Sequence, residues 1–121
     1  MNMKLLIVED NPQMRQLIRS VVADLVEAVA ECSDGEEAIA AYAAEQFSGA
    51  DRVLMDLHMP HFDGLKTTRR LRAAFPDAHI IIVTQDDDPY WRAAATLAGA
   101  RGYVLKENLL ELRRLLQAAM E

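Results

Sequence analysis

The sequence predicts an α/β fold: a parallel sheet with helices on both faces. Four short apolar runs, at residues 5–8, 53–55, 80–83 and 103–105, lack the period-two alternation of half-exposed strands, as strands buried on both faces do. Helical patterns separate them, so strand and helix alternate five times, which favours parallel strands joined by right-handed crossovers. A chain of 121 residues, 51% apolar and 26% charged, fits one domain over 1–121 with a single core.

The first strand, Leu5-Leu6-Ile7-Val8, runs into Glu9-Asp10-Asn11-Pro12, where Asn11 can cap a helix whose first turn holds Pro12. Met14, Leu17, Ile18, Val21, Val22 and Leu25 form the inner stripe of that helix. Residues 27–33 alternate better, through Val29 and Cys32, and read as an edge strand. A second helix follows the capping candidates Ser33 and Asp34 and should end near Gly49. The central run at 53–55 stops at Asp56, and a third helix begins around Asp63-Gly64, carries Leu65, Thr68, Leu71 and Arg72, and stops at Phe75-Pro76. The fourth helix covers 89–97 and ends at Gly99; Asp86-Asp87-Asp88 before it reads as a cap, since it lacks the glycine and spaced ligands of a calcium loop. The last, over 108–120, aligns Leu109, Leu112, Leu115, Leu116 and Ala119.

Composition excludes several classes. The net charge is -6 and the basic residues are scattered, so this chain has no electrostatic footprint for nucleic acid. Cys32 is the only cysteine, which rules out an internal disulfide and suits a small buried residue in a reducing compartment. The amino terminus lacks a signal-peptide pattern and no apolar stretch reaches membrane-spanning length, so the cytoplasm is the expected location.

Open sheets of this type bind ligands at the carboxyl ends of their strands. Glu9, Asp10, Asp56, Thr84 and Lys106 all fall at or just after strand ends. Three converging carboxylates need protons or a metal among them, and a few acids plus water suit Mg²⁺. A phosphoryl group there could be held by the metal, the Lys106 ammonium and the Thr84 hydroxyl while an aspartate acts as nucleophile. His58 and His61 beside two acids suggest a transition metal only superficially, because Pro60 separates them.

This set, Glu9-Asp10, then Asp56-Leu57-His58-Met59-Pro60 with Asp63-Gly64, then Thr84 and Lys106, resembles the receiver domains of two-component response regulators over nearly the whole chain. The resemblance implies a doubly wound, flavodoxin-like sheet of order 2-1-3-4-5 with five helices. It implies that Asp56 accepts phosphate from a sensor histidine kinase, with Mg²⁺ held by Asp10, Asp56 and the backbone carbonyl of His58, and by Glu9 through water. The Thr84 hydroxyl and the Tyr103 ring would then move, and the surface of helix four, strand five and helix five would change partners. That surface would address an output domain, a protein partner or a second copy of the chain. In such domains the residues two past the aspartate and two past the threonine, here His58 and Asp86, tune phosphoryl lifetime.

Two positions depart from the family pattern. Gln85 stands where a small residue is usual and narrows access to Asp56; Glu107 stands where many members have the proline that carries a cis peptide. Gly102-Tyr103-Val104-Leu105-Lys106 without that proline is similar to receivers of regulators with a helix-turn-helix output, so transcriptional control is the expected use. The chain is then a stand-alone receiver or the receiver part of a longer protein, and catalyses only its own phosphorylation and dephosphorylation. Two rivals are a Mg²⁺-dependent phosphatase working through an aspartyl-phosphate, and an interaction module that is never phosphorylated. The first usually has a second acid where His58 stands; Gln85 favours the second. Tyr90-Trp91 either anchors a partner or folds Trp91 onto the sheet edge.

Overall fold

The computed structural model describes residues 2–60 and 62–121; His61 lies outside them. Strands β1 (Lys4–Val8), β2 (Ala28–Cys32), β3 (Arg52–Met55), β6 (Ile80–Thr84) and β7 (Gly102–Leu105) form one sheet, parallel throughout, in the order β2-β1-β3-β6-β7. Counted along the chain, these five strands give the expected order 2-1-3-4-5. Helices α1 (Pro12–Val22), α2 (Gly35–Ala44), α3 (Gly64–Ala74), α4 (Pro89–Ala98) and α5 (Leu109–Ala119) make the crossovers.

Apolar runs without alternation become central strands because each face of the sheet has its own core. Leu6, Val8, Val53, Met55, Ile80 and Ile82 face Tyr42, Leu71 and Ala95 of α2, α3 and α4. Leu5, Ile7, Leu54, Ile81 and Val83 face Ile18, Leu112 and Leu116 of α1 and α5. Burying one such side chain contributes about 1.5–3 kcal/mol, against about 1 kcal/mol for a helix cap, so the strand cores dominate the choice of fold. At the edge, β2 exposes Ala28 and Glu31, three residues apart and so on opposite faces, which fits an edge strand and not the period-two alternation its sequence suggested.

The caps lie where the sequence puts them. Asn11, Asp34, Asp63 and Asp88 accept from the amides of Met14, Glu37, Leu65 and Tyr90. Gly99, at φ 108°, ends α4 in the left-handed conformation that glycine adopts without strain.

Four features differ from expectation. Helix α2 stops at Ala44, well short of Gly49: Gln46 turns left-handed at φ 57°, and Phe47 folds back onto Tyr42 with ring centroids 5.6 Å apart. Leu17 and Leu115 belong to predicted inner stripes yet are 48% and 36% exposed, because each helix buries only a narrow strip on the sheet, centred on Ile18 and Val22 in α1 and on Leu112 and Leu116 in α5. The segment after Asp56 forms a small antiparallel hairpin, β4 (His58–Met59) with β5 (Phe62–Asp63), where a plain break was expected. The strand at 80–83 also takes in Thr84, whose hydroxyl therefore sits on the sheet.

Candidate functional site

Strand register brings the predicted residues together. The Glu9 amide donates to the Cys32 carbonyl, that of Asp56 to Val8 at 3.0 Å, and that of Lys106 to Thr84 at 2.8 Å, so ladder bonds fix each residue at the carboxyl edge of the sheet. Glu9, Asp10, Asn11, Asp56, His58, Thr84, Gln85 and Lys106 line one open cleft there.

Glu9 and Asp56 are only 1% and 5% exposed. One carboxylate oxygen from each of Glu9, Asp10 and Asp56 lies within 4.8 Å of the others. The Lys106 ammonium sits 2.8 Å from Glu9 Oε1 and 3.3 Å from Asp56 Oδ2. Burial pushes the Glu9 and Asp56 carboxyls above their ordinary range, and Lys106 opposes the rise in both. For Lys106 itself burial favours the neutral amine, but the close contact with Glu9 and the charges of Asp56 and Glu9 outweigh it and raise its pKa.

Three carboxylates facing one ammonium leave an excess of negative charge. Glu9 Oε1 is fully buried and has no hydrogen-bond partner among the described residues; the Lys106 ammonium lies 2.8 Å away as an ionic contact. An all-oxygen donor set with spare charge and an opening to water fits a hard divalent cation such as Mg²⁺.

The backbone beside Asp56 is tightly constrained. The Gly64 amide donates to the Leu57 carbonyl at 3.1 Å, and a Cβ on Gly64 would lie 2.1 Å from the Asp56 carbonyl oxygen. Only glycine permits that approach, which explains Asp63-Gly64 at the start of α3.

Across the cleft, Asp86, singled out in the sequence together with His58, is also a junction whose backbone contacts sequence reasoning missed. Its amide donates to Thr84 Oγ1 at 3.3 Å, its carbonyl accepts from the Tyr103 hydroxyl, and its Oδ2 lies 3.1 Å from His58 Nε2. Two of these contacts use the backbone, which leaves no trace in residue type. Tyr103 is half-buried with its hydroxyl bonded to protein, and the Arg92 guanidinium lies 4.6 Å from its ring centroid. Burial, then the charge of Asp86, raises the pKa of that phenol.

The His58 ring also meets Trp91 edge to face, with centroids 4.7 Å apart, so Trp91 packs against the cleft wall while Tyr90 stays 67% exposed. Gln85 is exposed at the rim. Cys32 is buried, and desolvation followed by the charge of Glu37 pushes its thiol up to about 11, which keeps it unreactive. No helix among the described residues is long and apolar enough to cross a membrane.

The class to which the chain belongs is an α/β one: a doubly wound parallel sheet with an acid cluster, a hydroxyl and a lysine at its carboxyl edge. Residues 5–119 match the family described as the response regulator receiver domain, and the chain belongs to that family. It is 36% identical over 108 residues to an uncharacterized transcriptional regulatory protein, YhcZ, of Bacillus subtilis, covering 88% of this chain and 49% of that one. It is 39% identical to a nitrate/nitrite response regulator protein homolog of Haemophilus influenzae, covering 88% and 50%. The chain thus spans about half the length of these curated relatives. Among solved structures, a LuxR-family two-component response regulator from Aurantimonas superposes with a TM-score of 0.87 at 29% identity, covering 98% of this chain and 84% of that one.

Proposed function

We propose that residues 1–121 form a phosphorylation-dependent switch in which Asp56 accepts a phosphoryl group from a sensor histidine kinase. The observation that carries this reading is the Asp56 carboxylate, buried yet facing an open cleft, with an ammonium at 3.3 Å and two further acids around it. An Asp56 oxygen attacks the phosphorus of a phosphohistidine; the new P–O bond forms as the P–N bond breaks, and the imidazole leaves with its electron pair. Lys106 offsets charge on the transferred group, and the Thr84 hydroxyl, buried beside it, is placed to donate to a phosphoryl oxygen. Glu9, Asp10, Asp56 and the His58 carbonyl would hold Mg²⁺, which when bound neutralises phosphoryl oxygen charge.

Asp86 joins Thr84 to Tyr103, so movement of the hydroxyl changes the tyrosine's support. The output is a changed surface of α4, β7 and α5, read by an output domain, a protein partner or a second copy. Transcriptional control fits relatives that bear regulatory names and are twice as long. The cytoplasm, where such kinases present their phosphohistidine, is the proposed location, and the chain itself contacts neither membrane nor nucleic acid. His58, Gln85 and Asp86 set how long the phosphoryl group survives.

Beryllofluoride with Mg²⁺ stands in for an aspartyl-phosphate, and Trp91 lies close enough to His58 to report its binding. A saturable fluorescence change lost in Asp56→Asn is the expected result. An unchanged signal in wild type, or one that persists in Asp56→Asn, would overturn the reading.

A further inference from the structure

We propose that Arg15 is a positioning residue for the divalent-cation site, acting through the backbone of Glu9; this rests on the Mg²⁺ site proposed above. Asp10, the most exposed of the three acids, has no ion pair and no side-chain hydrogen bond among the described residues. Its carboxylate is therefore placed by the backbone on either side. After it, the Asn11 amide donates to Glu9 Oε2 at 3.1 Å, and Asn11 Oδ1 accepts from the Met14 amide at 3.0 Å. Before it, the Glu9 carbonyl accepts from Arg15 Nη1 at 2.8 Å.

Arg15 can hold that carbonyl because its own guanidinium is fixed. Its Nε donates to Glu31 Oε1 at 2.9 Å, and Glu31 is also gripped by Arg19 at 2.6 Å. The rigid fork of an arginine serves two acceptors at once, so anchoring one end on β2 lowers the entropy lost when the other binds the loop. Edge strand, first helix and acid-bearing loop are thereby tied through one side chain.

Charge and positioning predict opposite outcomes. A cation near a metal site opposes a second cation by Coulomb repulsion, so if Arg15 mattered only as a charge, its removal would tighten Mg²⁺ binding. If it positions the loop, removal weakens binding.

Calorimetric titration of the full chain with Mg²⁺ separates these. Arg15→Met should weaken Mg²⁺ binding by about fivefold, the equivalent of one net hydrogen bond. Arg15→Lys should recover part of that loss, and Glu31→Gln should show a smaller loss while leaving Arg15 in place. Without metal, the Asp10 and Asn11 amide resonances should shift in Arg15→Met, a change that a general loss of stability does not produce in the folded population. Unchanged or tighter Mg²⁺ binding in Arg15→Met, whatever its urea midpoint, overturns the proposal and leaves the site reading intact. If Arg15→Met does not fold, wild-type affinity in Glu31→Gln overturns it instead. A wild-type chain that binds no Mg²⁺ overturns both.

Discussion

His58 Nε2 lies 3.1 Å from Asp86 Oδ2, closing a contact between the start of β4, which lines the Asp56 cleft, and the loop after β6. His58 lines the cleft that holds Asp56, so the proposed control of phosphoryl lifetime falls on two residues in direct contact.

Changing either partner should therefore alter phosphoryl lifetime more than acquisition. His58→Ala and Asp86→Ala are each expected to change the decay rate of the phosphorylated chain several-fold, roughly the effect of about 1 kcal/mol on a barrier. Single-turnover decay measured beside the rate of phosphorylation decides it. Equal lifetimes in wild type and both variants would sink the idea.

Asp56→Asn should stabilise the fold near neutral pH, by roughly 1 kcal/mol, because it removes a buried charge from a cluster of like charges. The sign follows from linkage: burial raises the Asp56 and Glu9 pKa values above their unfolded ones, so the folded chain holds more protons and loses stability as pH rises through that interval. Urea midpoints on the two sides of the carboxylate range test this. Wild type should fall behind Asp56→Asn as pH rises, and a constant difference would contradict it.

The same raised carboxyls make divalent-cation binding proton-linked, since ligand acids must be deprotonated. Mg²⁺ affinity should weaken as pH falls, beginning above the ordinary carboxylate range. Titrations at several pH values that showed weakening only within that range would argue against the burial account.

Gly64→Ala should cost about 2 kcal/mol, the scale of overpacking a tight site, because its Cβ would lie 2.1 Å from the Asp56 carbonyl. That carbonyl belongs to the proposed phosphoacceptor, so the beryllofluoride response should weaken as well. Chemical denaturation and a Trp91 titration of one sample read both effects, and wild-type values in each would contradict the contact.

Tyr103→Phe removes a hydroxyl that donates to the Asp86 carbonyl and should cost about 1 kcal/mol. Beryllofluoride should still bind, while the accompanying change in α4, read as amide exchange over Pro89–Ala98, should shrink. Unaltered exchange in the variant would remove Tyr103 from the switch.

Much of the fold was legible because it depends on burial. A strand covered on both faces must be apolar throughout, as Leu5 to Val8 are, and the acids after β1 and β3 mark where the apolar runs stop, although Glu9 and Asp56 are themselves buried. The hairpin after Asp56 was not legible, because two-residue strands carry no periodicity. The early stop of α2 depends on Phe47 finding Tyr42, a tertiary contact that local pattern does not encode. At the site, the residue types of Glu9, Asp10, Asp56, Thr84 and Lys106 pointed to one cleft, and the structure puts all five in it. The bonds of Asp86 to Thr84 and Tyr103 and of Arg15 to Glu9 escaped notice because each uses a carbonyl or an amide, which every residue has.

Asp86 divides its contacts between its backbone, which meets Thr84 and Tyr103, and its carboxylate, which meets His58 and accepts from the Asp88 amide. Any non-proline residue at position 86 keeps the amide and the carbonyl. In the switch proposed above, substitution there would reset the clock of the signal while leaving the Thr84 and Tyr103 contacts in place, so duration and meaning would be altered separately.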